Sequence, residues 1–284
     1  MGKIDGRALA DKTFEGLKEK AAALRRSGFT PSLRVVMVGE DPASASYVGG
    51  KERDCRKVGI DFSRLILPAS STQARLEEAV EECNEDPSVS AFIVQLPLPG
   101  QNPVPVLSKI REEKDADGLG PLSALRLEAG KPRTVPCTAL AVWSMLKSAG
   151  IDVEGRGVCV IGRGLTSGRP IASFLTSKNA TVTVAHSRTR NLEKYTREAE
   201  IVVSCAGRGH FIKPSFLSGG QVLVDVGFSV EGGRLMGDFD PACFEKASFY
   251  TTVPGGVGPM TRAMLMSNVL DLSSSLANGQ NDLS

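Results

Sequence analysis

Apolar strand-like runs and helical stretches take turns along almost the whole chain, and that alternation constrains its fold more than any other feature. Helical periodicity over about 6–28 precedes the strand pattern LRVVMVG, and then come a helix through 43–58, the strand FSRLILP, a helix near 72–86 and the apolar run AFIVQLPLP. Such a series predicts a largely parallel sheet, because parallel strands need crossover connections long enough to hold a helix. After Pro99 the chain becomes rich in Pro and Gly and passes through EEKDADGLGP and a short extended run to VPCTALAVW, which places a domain boundary near residue 138. A second series follows: GVCVIG, a helix after Gly168, ATVTVAH, AEIVVSCAG, QVLVDVG and FYTTVP. It predicts a doubly wound nucleotide-binding domain. TRAMLMSNVLDLSSSLANG reads as an amphipathic C-terminal helix, and NGQNDLS as a loose tail.

Composition narrows the partners. With 284 residues the chain can bury one large or two ordinary cores, and 34 Lys and Arg against 32 acids leave a formal charge of +2 with no single-sign block, which speaks against nucleic acid. The N-terminus is charged and helix-patterned, and no apolar run is long enough for a bilayer, so a cytoplasmic protein without a membrane partner is expected. Six cysteines at 55, 83, 137, 159, 205 and 243 form no CxxC pair and no zinc-like spacing; they are read as reduced, and no metal is expected.

GVCVIGRGLTSGRP sets Gly162, Gly164 and Gly168 between a strand and a helix. Glycines there let the backbone approach a pyrophosphate, whose charge the helix N-terminus favours; a tight structural turn would use the same residues. The next strand ends in HSRTR, where an NAD-binding domain usually carries an acid for the ribose diol. His186, Ser187, Arg188 and Arg190 stand there instead, with Arg163 in the preceding turn. Hydroxyl and guanidinium donors suit a 2′-phosphate, which favours NADP over NAD; a solvated basic strand end is the other reading.

In DPASASYVGGKERDCRKVG, Tyr47 and Lys51 lie four residues apart on one helical face. Gly49 and Gly50 between them each weaken a helix by about 1 kcal/mol relative to Ala; they fit close approach of a ligand or backbone, or simply a bend. Gln95 lies near the carboxyl edge of the first sheet, where α/β folds place ligands. Asp115 and Asp117 fit either an Asx turn or the N–H edge of an amino-pyrimidine. VPGGVGPM is long and apolar for a surface turn, which suggests backbone packing against a flat ligand or the other domain.

Taken together and in order, YVGGK, VQLPLP, DADG, PCT, the GRG turn, HSRT and VPGGVGPMT strongly resemble the bifunctional methylenetetrahydrofolate dehydrogenase/cyclohydrolase family. The resemblance implies two α/β domains with a folate cleft between them: a catalytic, folate-binding domain over 1–138 completed by a C-terminal helix at 262–284, and a Rossmann-like NADP-binding domain over 139–261. It implies a homodimer formed through the cofactor domain. Lys51 would be the central catalytic residue, Gln95 its hydrogen-bond partner and Tyr47 the ring against the folate. Asp117 would fix the pterin, while Gly255, Gly256 and Pro259 line the folate side. Gly162, Arg163, Gly164, Ser187 and Phe228 match cofactor positions, with Arg188 beside them and Thr138 near the nicotinamide.

The implied activity oxidises 5,10-methylenetetrahydrofolate with NADP and hydrolyses the methenyl product, tetrahydrofolate being the one-carbon carrier. Three departures stand out. PCTALA has Ala139 and Ala141 where the family has Pro and Gly, GRG replaces GRS, and DVGF continues SV rather than with asparagine and arginine. Two other readings fit the same elements: an NADP-dependent dehydrogenase of the shikimate type, and a catalytically silent folate- or nucleotide-binding protein.

Overall fold

The computed structural model describes residues 2–281. β1 (Gly2–Lys3) and α1 (Gly6–Arg26) open the chain, followed by β2 (Ser32–Val38), α2 (Pro42–Val58), β3 (Asp61–Leu67), α3 (Gln73–Glu85) and β4 (Ala91–Val94). Short helices α4 (Pro103–Ser108) and α5 (Pro121–Glu128) lead to α6 (Cys137–Ser148). The second series runs β5 (Gly157–Ile161), α7 (Gly168–Ser177), β6 (Thr181–Ala185), α8 (Leu192–Glu198), β7 (Ile201–Ser204), β8 (Val222–Asp225), β9 (Phe228–Glu231), β10 (Arg234–Gly237) and β11 (Phe249–Tyr250). The last element is α9 (Val257–Asn281).

The chain divides into two compact units. One comprises residues 11–126, 132–137 and those from 262 onward; the other comprises residues up to 10, 127–131 and 138–261. In the first, β3–β2–β4 form a parallel sheet. Leu76, Val80, Phe92 and Val106 are fully buried in its core, each worth roughly 1.5–3 kcal/mol of transfer free energy. Local signals set α2: Asp41 accepts a capping bond from the Ser44 amide at 2.8 Å, Pro42 takes the first helical position, and Gly59 ends the helix in a left-handed conformation.

The second unit holds a six-stranded sheet in the order β1–β11–β8–β7–β5–β6, parallel throughout, and β9 and β10 pair as a separate antiparallel hairpin. Both units are thus α/β, as the alternation predicts, and the second sheet is Rossmann-like. Among the described residues, no helix is long and apolar enough to cross a membrane.

Several local expectations are corrected. β1 pairs with β11 in the second unit's sheet, so the first residues of the 1–138 stretch expected as one domain belong to the other unit; a two-residue strand is too short for a periodic signal. α5 occupies part of the stretch expected to be extended, and the hairpin of β9 and β10 was not anticipated. α9 starts at Val257, inside the glycine-rich segment, and stays helical to 281, through the first residues of the expected tail; 282–284 lie outside the described residues. Ala139 and Ala141 are buried within α6, where Ala is a better helix former than the family's Pro and Gly.

Candidate active site

In the β3–β2–β4 sheet the chain leaves β2 toward one side and later returns to its other side. The reversal makes a switch point at the carboxyl ends of β2 and β4, where α/β sheets hold ligands. Gln95 stands directly after β4, its amide bonded to the Val36 carbonyl at 2.8 Å. α2, which follows β2, brings Lys51 to the same place. Lys51 is 5% exposed, and its Nζ donates to Gln95 Oε1 at 3.0 Å. Gln95 Nε2 donates in turn to the Leu96 carbonyl at 2.6 Å, which keeps the oxygen end of the amide toward the lysine.

Tyr47 completes the group, with its ring centroid 4.9 Å from Lys51 Nζ and 41% of its surface open. Burial lowers the lysine's pKa, and the nearby Asp117 charge opposes that effect without overcoming it. The Tyr47 phenol is pushed upward, first by desolvation and then by Asp117, so it stays protonated.

The two aspartates of the DADG loop divide the two roles considered for them. Asp115 is buried and accepts from the amides of Gly118 at 2.9 Å and Gly120 at 2.8 Å and from Ser123 Oγ at 2.7 Å, so it holds the loop together. Asp117 is half-buried, and the hydrogen bonds of that turn among the described residues go to Asp115 instead. Beside it, Cys137 is 4% exposed, and burial followed by the Asp117 charge keeps it a neutral thiol. Asn268 of α9 ties these segments: Nδ2 donates to the carbonyls of Ala116 and Val135, both at 2.9 Å.

Gly50 is explained by the protein itself. A Cβ there would overlap Arg262 Nη1, and Arg262 Nε pairs with Asp54 Oδ2 at 3.1 Å. Within the second unit, the loop of Gly255 and Gly256 packs on the head of α1: Arg7 N donates to the Gly255 carbonyl at 3.1 Å, and a Cβ on Gly6 would overlap the Gly256 carbonyl. Gly255 has φ +96°, and a Cβ on Gly256 would come within 2.5 Å of the Thr252 carbonyl. These glycines therefore answer first to backbone packing inside the unit. Pro259 lies half-buried in the first turn of α9.

In the large sheet, β6 and β7 flank β5, so the switch point falls at the carboxyl ends of β5 and β7. Gly162 directly follows β5 with φ +116°, and a Cβ would lie 2.7 Å from the Cys205 carbonyl after β7. A Cβ on Gly168 would overlap the Gly162 carbonyl. The turn is thus a backbone cradle that side chains would fill, opening onto α7, and this fits a dinucleotide pyrophosphate. Gly164 differs: nothing lies within 4 Å of its missing Cβ.

The register Ile161↔Ala185 sets Arg163 and Ser187 each two residues past the ends of neighbouring strands, both exposed, with Arg188 next to them. The Arg188 amide donates to His186 Nδ1 at 3.1 Å, which fixes that turn. Thr138 is half-buried in α6, and Phe228, 59% exposed, begins β9. Beneath the cofactor turn, Asp238 accepts from Ser204 Oγ at 2.6 Å and from the amides of Ala206 and Arg208, both at 2.7 Å. Asp225 accepts from the Asp238 amide at 2.9 Å.

Comparison with known proteins identifies the pattern. Residues 4–117 match the tetrahydrofolate dehydrogenase/cyclohydrolase catalytic domain, and residues 136–276 match the NAD(P)-binding domain of the same family. The chain belongs to the tetrahydrofolate dehydrogenase/cyclohydrolase family. It is 38% identical to the bifunctional FolD enzyme of Campylobacter jejuni, over 97% of this chain and 99% of that one, with a TM-score of 0.94. Over 96% of this chain and 97% of that one, it is 37% identical to the Trypanosoma brucei enzyme solved with NADP and an inhibitor, with a TM-score of 0.90. A methylenetetrahydrofolate dehydrogenase from Bombyx mori matches at 38% identity over 98% of this chain and all of that one, with a TM-score of 0.91.

For this family member, the residues brought together in the first unit are Tyr47, Lys51, Gln95 and Asp117. In the second, Gly162, Arg163, Gly164, Ser187 and Arg188 share the ends of β5 and β6. Asn268, Asp54 and Arg262 were not singled out from the sequence. Asn268 had left a signal: it is polar within a helical stripe whose other members, Met264, Leu265 and Leu272, are buried.

Proposed function

We propose that this chain oxidises 5,10-methylenetetrahydrofolate to the 5,10-methenyl compound with NADP and hydrolyses that product to 10-formyltetrahydrofolate. The observation that carries the reading is the buried Lys51 held by Gln95 and set against Tyr47 in a chain of this family. The absence of an acid at the end of β6, with Ser187 and Arg188 there instead and Arg163 past the end of the neighbouring β5, supports NADP over NAD. When bound, the nicotinamide supplies the hydride acceptor.

The protein's own part in oxidation is alignment. Tyr47 offers a flat ring to the folate, and Asp117 offers a carboxylate to the N–H edge of the pterin. The methylene carbon sits between two nitrogens whose lone pairs stabilise the cation left behind. In hydrolysis Lys51 moves protons, since its lowered pKa raises the share of free amine available to accept one from the water that adds to the cation. Gln95 orients it; within the second unit, Thr138 and Phe228 are assigned to the cofactor and Gly255, Gly256 and Pro259 to the folate.

We place the enzyme in the cytoplasm, supplying one-carbon units for purine synthesis, and as a homodimer through the cofactor unit. Val230 at 64% and Leu235 at 41% exposure on the β9–β10 hairpin support that surface. Light scattering coupled to gel filtration checks the dimer. For the activity, purified Lys51→Met is assayed with methylenetetrahydrofolate and NADP, reading reduced cofactor and methenyl absorbance separately. Accumulation of methenyl product is expected, and full hydrolysis by that variant would remove Lys51 from the mechanism.

A further inference from the structure

Tyr47, Gly50, Lys51 and Asp54 recur at spacings of three and four residues and so share one face of α2. Arg262 lies on that face. Its guanidinium fills the place a side chain on Gly50 would occupy, and Asp54, nearly buried, pairs with its Nε at 3.1 Å. The glycine that weakens the helix thereby makes room for a cation one turn from Tyr47.

The pairing leaves much of the arginine unused. Arg262 remains 29% exposed at its side chain, and among the described residues its guanidinium makes no hydrogen bond: the contact with Asp54 is an ion pair that leaves the buried Oδ2 without a hydrogen-bond donor. A guanidinium held near a carboxylate by charge alone keeps its planar fork of N–H donors for a second partner, the arrangement that grips a carboxylate in two places. Its charge also reaches the Tyr47 phenol, opposing that of Asp117.

A folate presents its groups in a fixed covalent order: pterin, one-carbon bridge, aryl ring and a glutamate with two carboxylates. Asp117, Lys51 and Tyr47 suit the first three by chemistry. We propose that Arg262 binds a carboxylate of the substrate's glutamate tail and sets the preference for glutamylated folates, with Asp54 and Gly50 positioning it. This rests on the folate reading above. An ion pair serving only to join α9 to α2 would give no preference between substrates with and without a tail.

The test compares methylenetetrahydrofolate with methylenetetrahydropteroate, which lacks the glutamate, using the full-length enzyme and saturating NADP. Arg262→Met, which keeps an unbranched apolar stem, is expected to raise KM for the glutamylated substrate ~10- to 100-fold, the loss of a charged hydrogen-bonded contact. Its KM for the tail-less substrate is expected to stay within about twofold of wild type. Arg262→Lys, which keeps the charge and guards against a folding defect, should recover part of the preference. Equal rises in both KM values, or a wild type that does not discriminate, would overturn the assignment of Arg262. Failure of the wild type to turn over either substrate would overturn the folate reading itself.

Discussion

Asn268 donates from Nδ2 to the carbonyl of Ala116 at 2.9 Å, one residue before Asp117. The same nitrogen reaches Val135 O, so a single buried amide fixes the loop that carries Asp117 to the segment that leads into Cys137. Asn268→Leu takes that donor from both carbonyls, leaving Ala116 O only the weak Cys137 thiol donor at 3.4 Å, and an unsatisfied buried group costs about 1–3 kcal/mol. Urea unfolding should show a loss of roughly 2–4 kcal/mol, and KM for folate should rise while the affinity for NADP is kept. A variant as stable as wild type would mean that water replaces the amide.

The role proposed for Lys51, held by Gln95, predicts a pH dependence of hydrolysis. A lysine whose pKa is lowered by burial is free amine at a lower pH than an ordinary one, so kcat for methenyl hydrolysis should rise with pH and level off below the usual lysine range. Gln95→Leu removes an acceptor that favours the ammonium form, which moves the midpoint lower still and costs about 10²-fold in hydrolysis through lost orientation. Oxidation should fall far less. Stopped-flow hydrolysis of methenyltetrahydrofolate across pH, corrected for the uncatalysed rate, decides it; a midpoint at or above that of free lysine would exclude the role.

Gly162 and Gly164 should respond oppositely to added side chains. Gly162→Ala meets both a left-handed backbone and the Cys205 carbonyl, so weaker NADP binding by at least about tenfold and a lower thermal midpoint are expected. Gly164→Ser enters open space and restores the hydroxyl usual in the family. It should fold normally and tighten NADP about two- to tenfold, the worth of one net hydrogen bond. Calorimetric titration with NADP checks both, and a Gly164→Ser variant that binds no better would show that the hydroxyl has no role here.

Asp225 predicts a fall in stability toward alkaline pH. Burial first, and the charge of Asp238, push its carboxyl up to about 7 against the opposing backbone bonds from Asp238 and Phe239. A folded-state pKa above the unfolded value of 3.8 means that the folded chain holds the extra proton between those limits. The contribution is full below the lower value and is lost as pH rises through about 7. Thermal midpoints at pH 5 and pH 8 should differ more in wild type than in Asp225→Asn, whose amide does not titrate; equal differences would place the titration elsewhere.

Much of this was legible in the sequence because it is periodic or local. Strand and helix alternation announces both sheets, and Asp41-Pro42 with Gly59 delimits α2. Tyr47 and Lys51 share a face by spacing alone. What stayed hidden depends on residues far apart in the chain: a two-residue β1 carries no period, and nothing near Gly50 says that Arg262 fills its space. The ambiguity between Asp115 and Asp117 has the same origin, since only the folded loop shows which carboxylate its own amides consume.

The discontinuity of the first unit orders its assembly. Its sheet is complete by residue 94, yet Arg262 and Asn268 belong to its last segment, beyond the whole nucleotide-binding stretch. A chain emerging from the ribosome therefore exposes the Ala116 and Val135 carbonyls, and the Asp54 carboxylate, for as long as it takes to make more than a hundred further residues. At typical synthesis rates that delay is on the order of ten seconds, far longer than helix or hairpin formation. The folate half waits for its keystone, and substitutions in α9 should register as lost yield of folded protein as well as lost affinity.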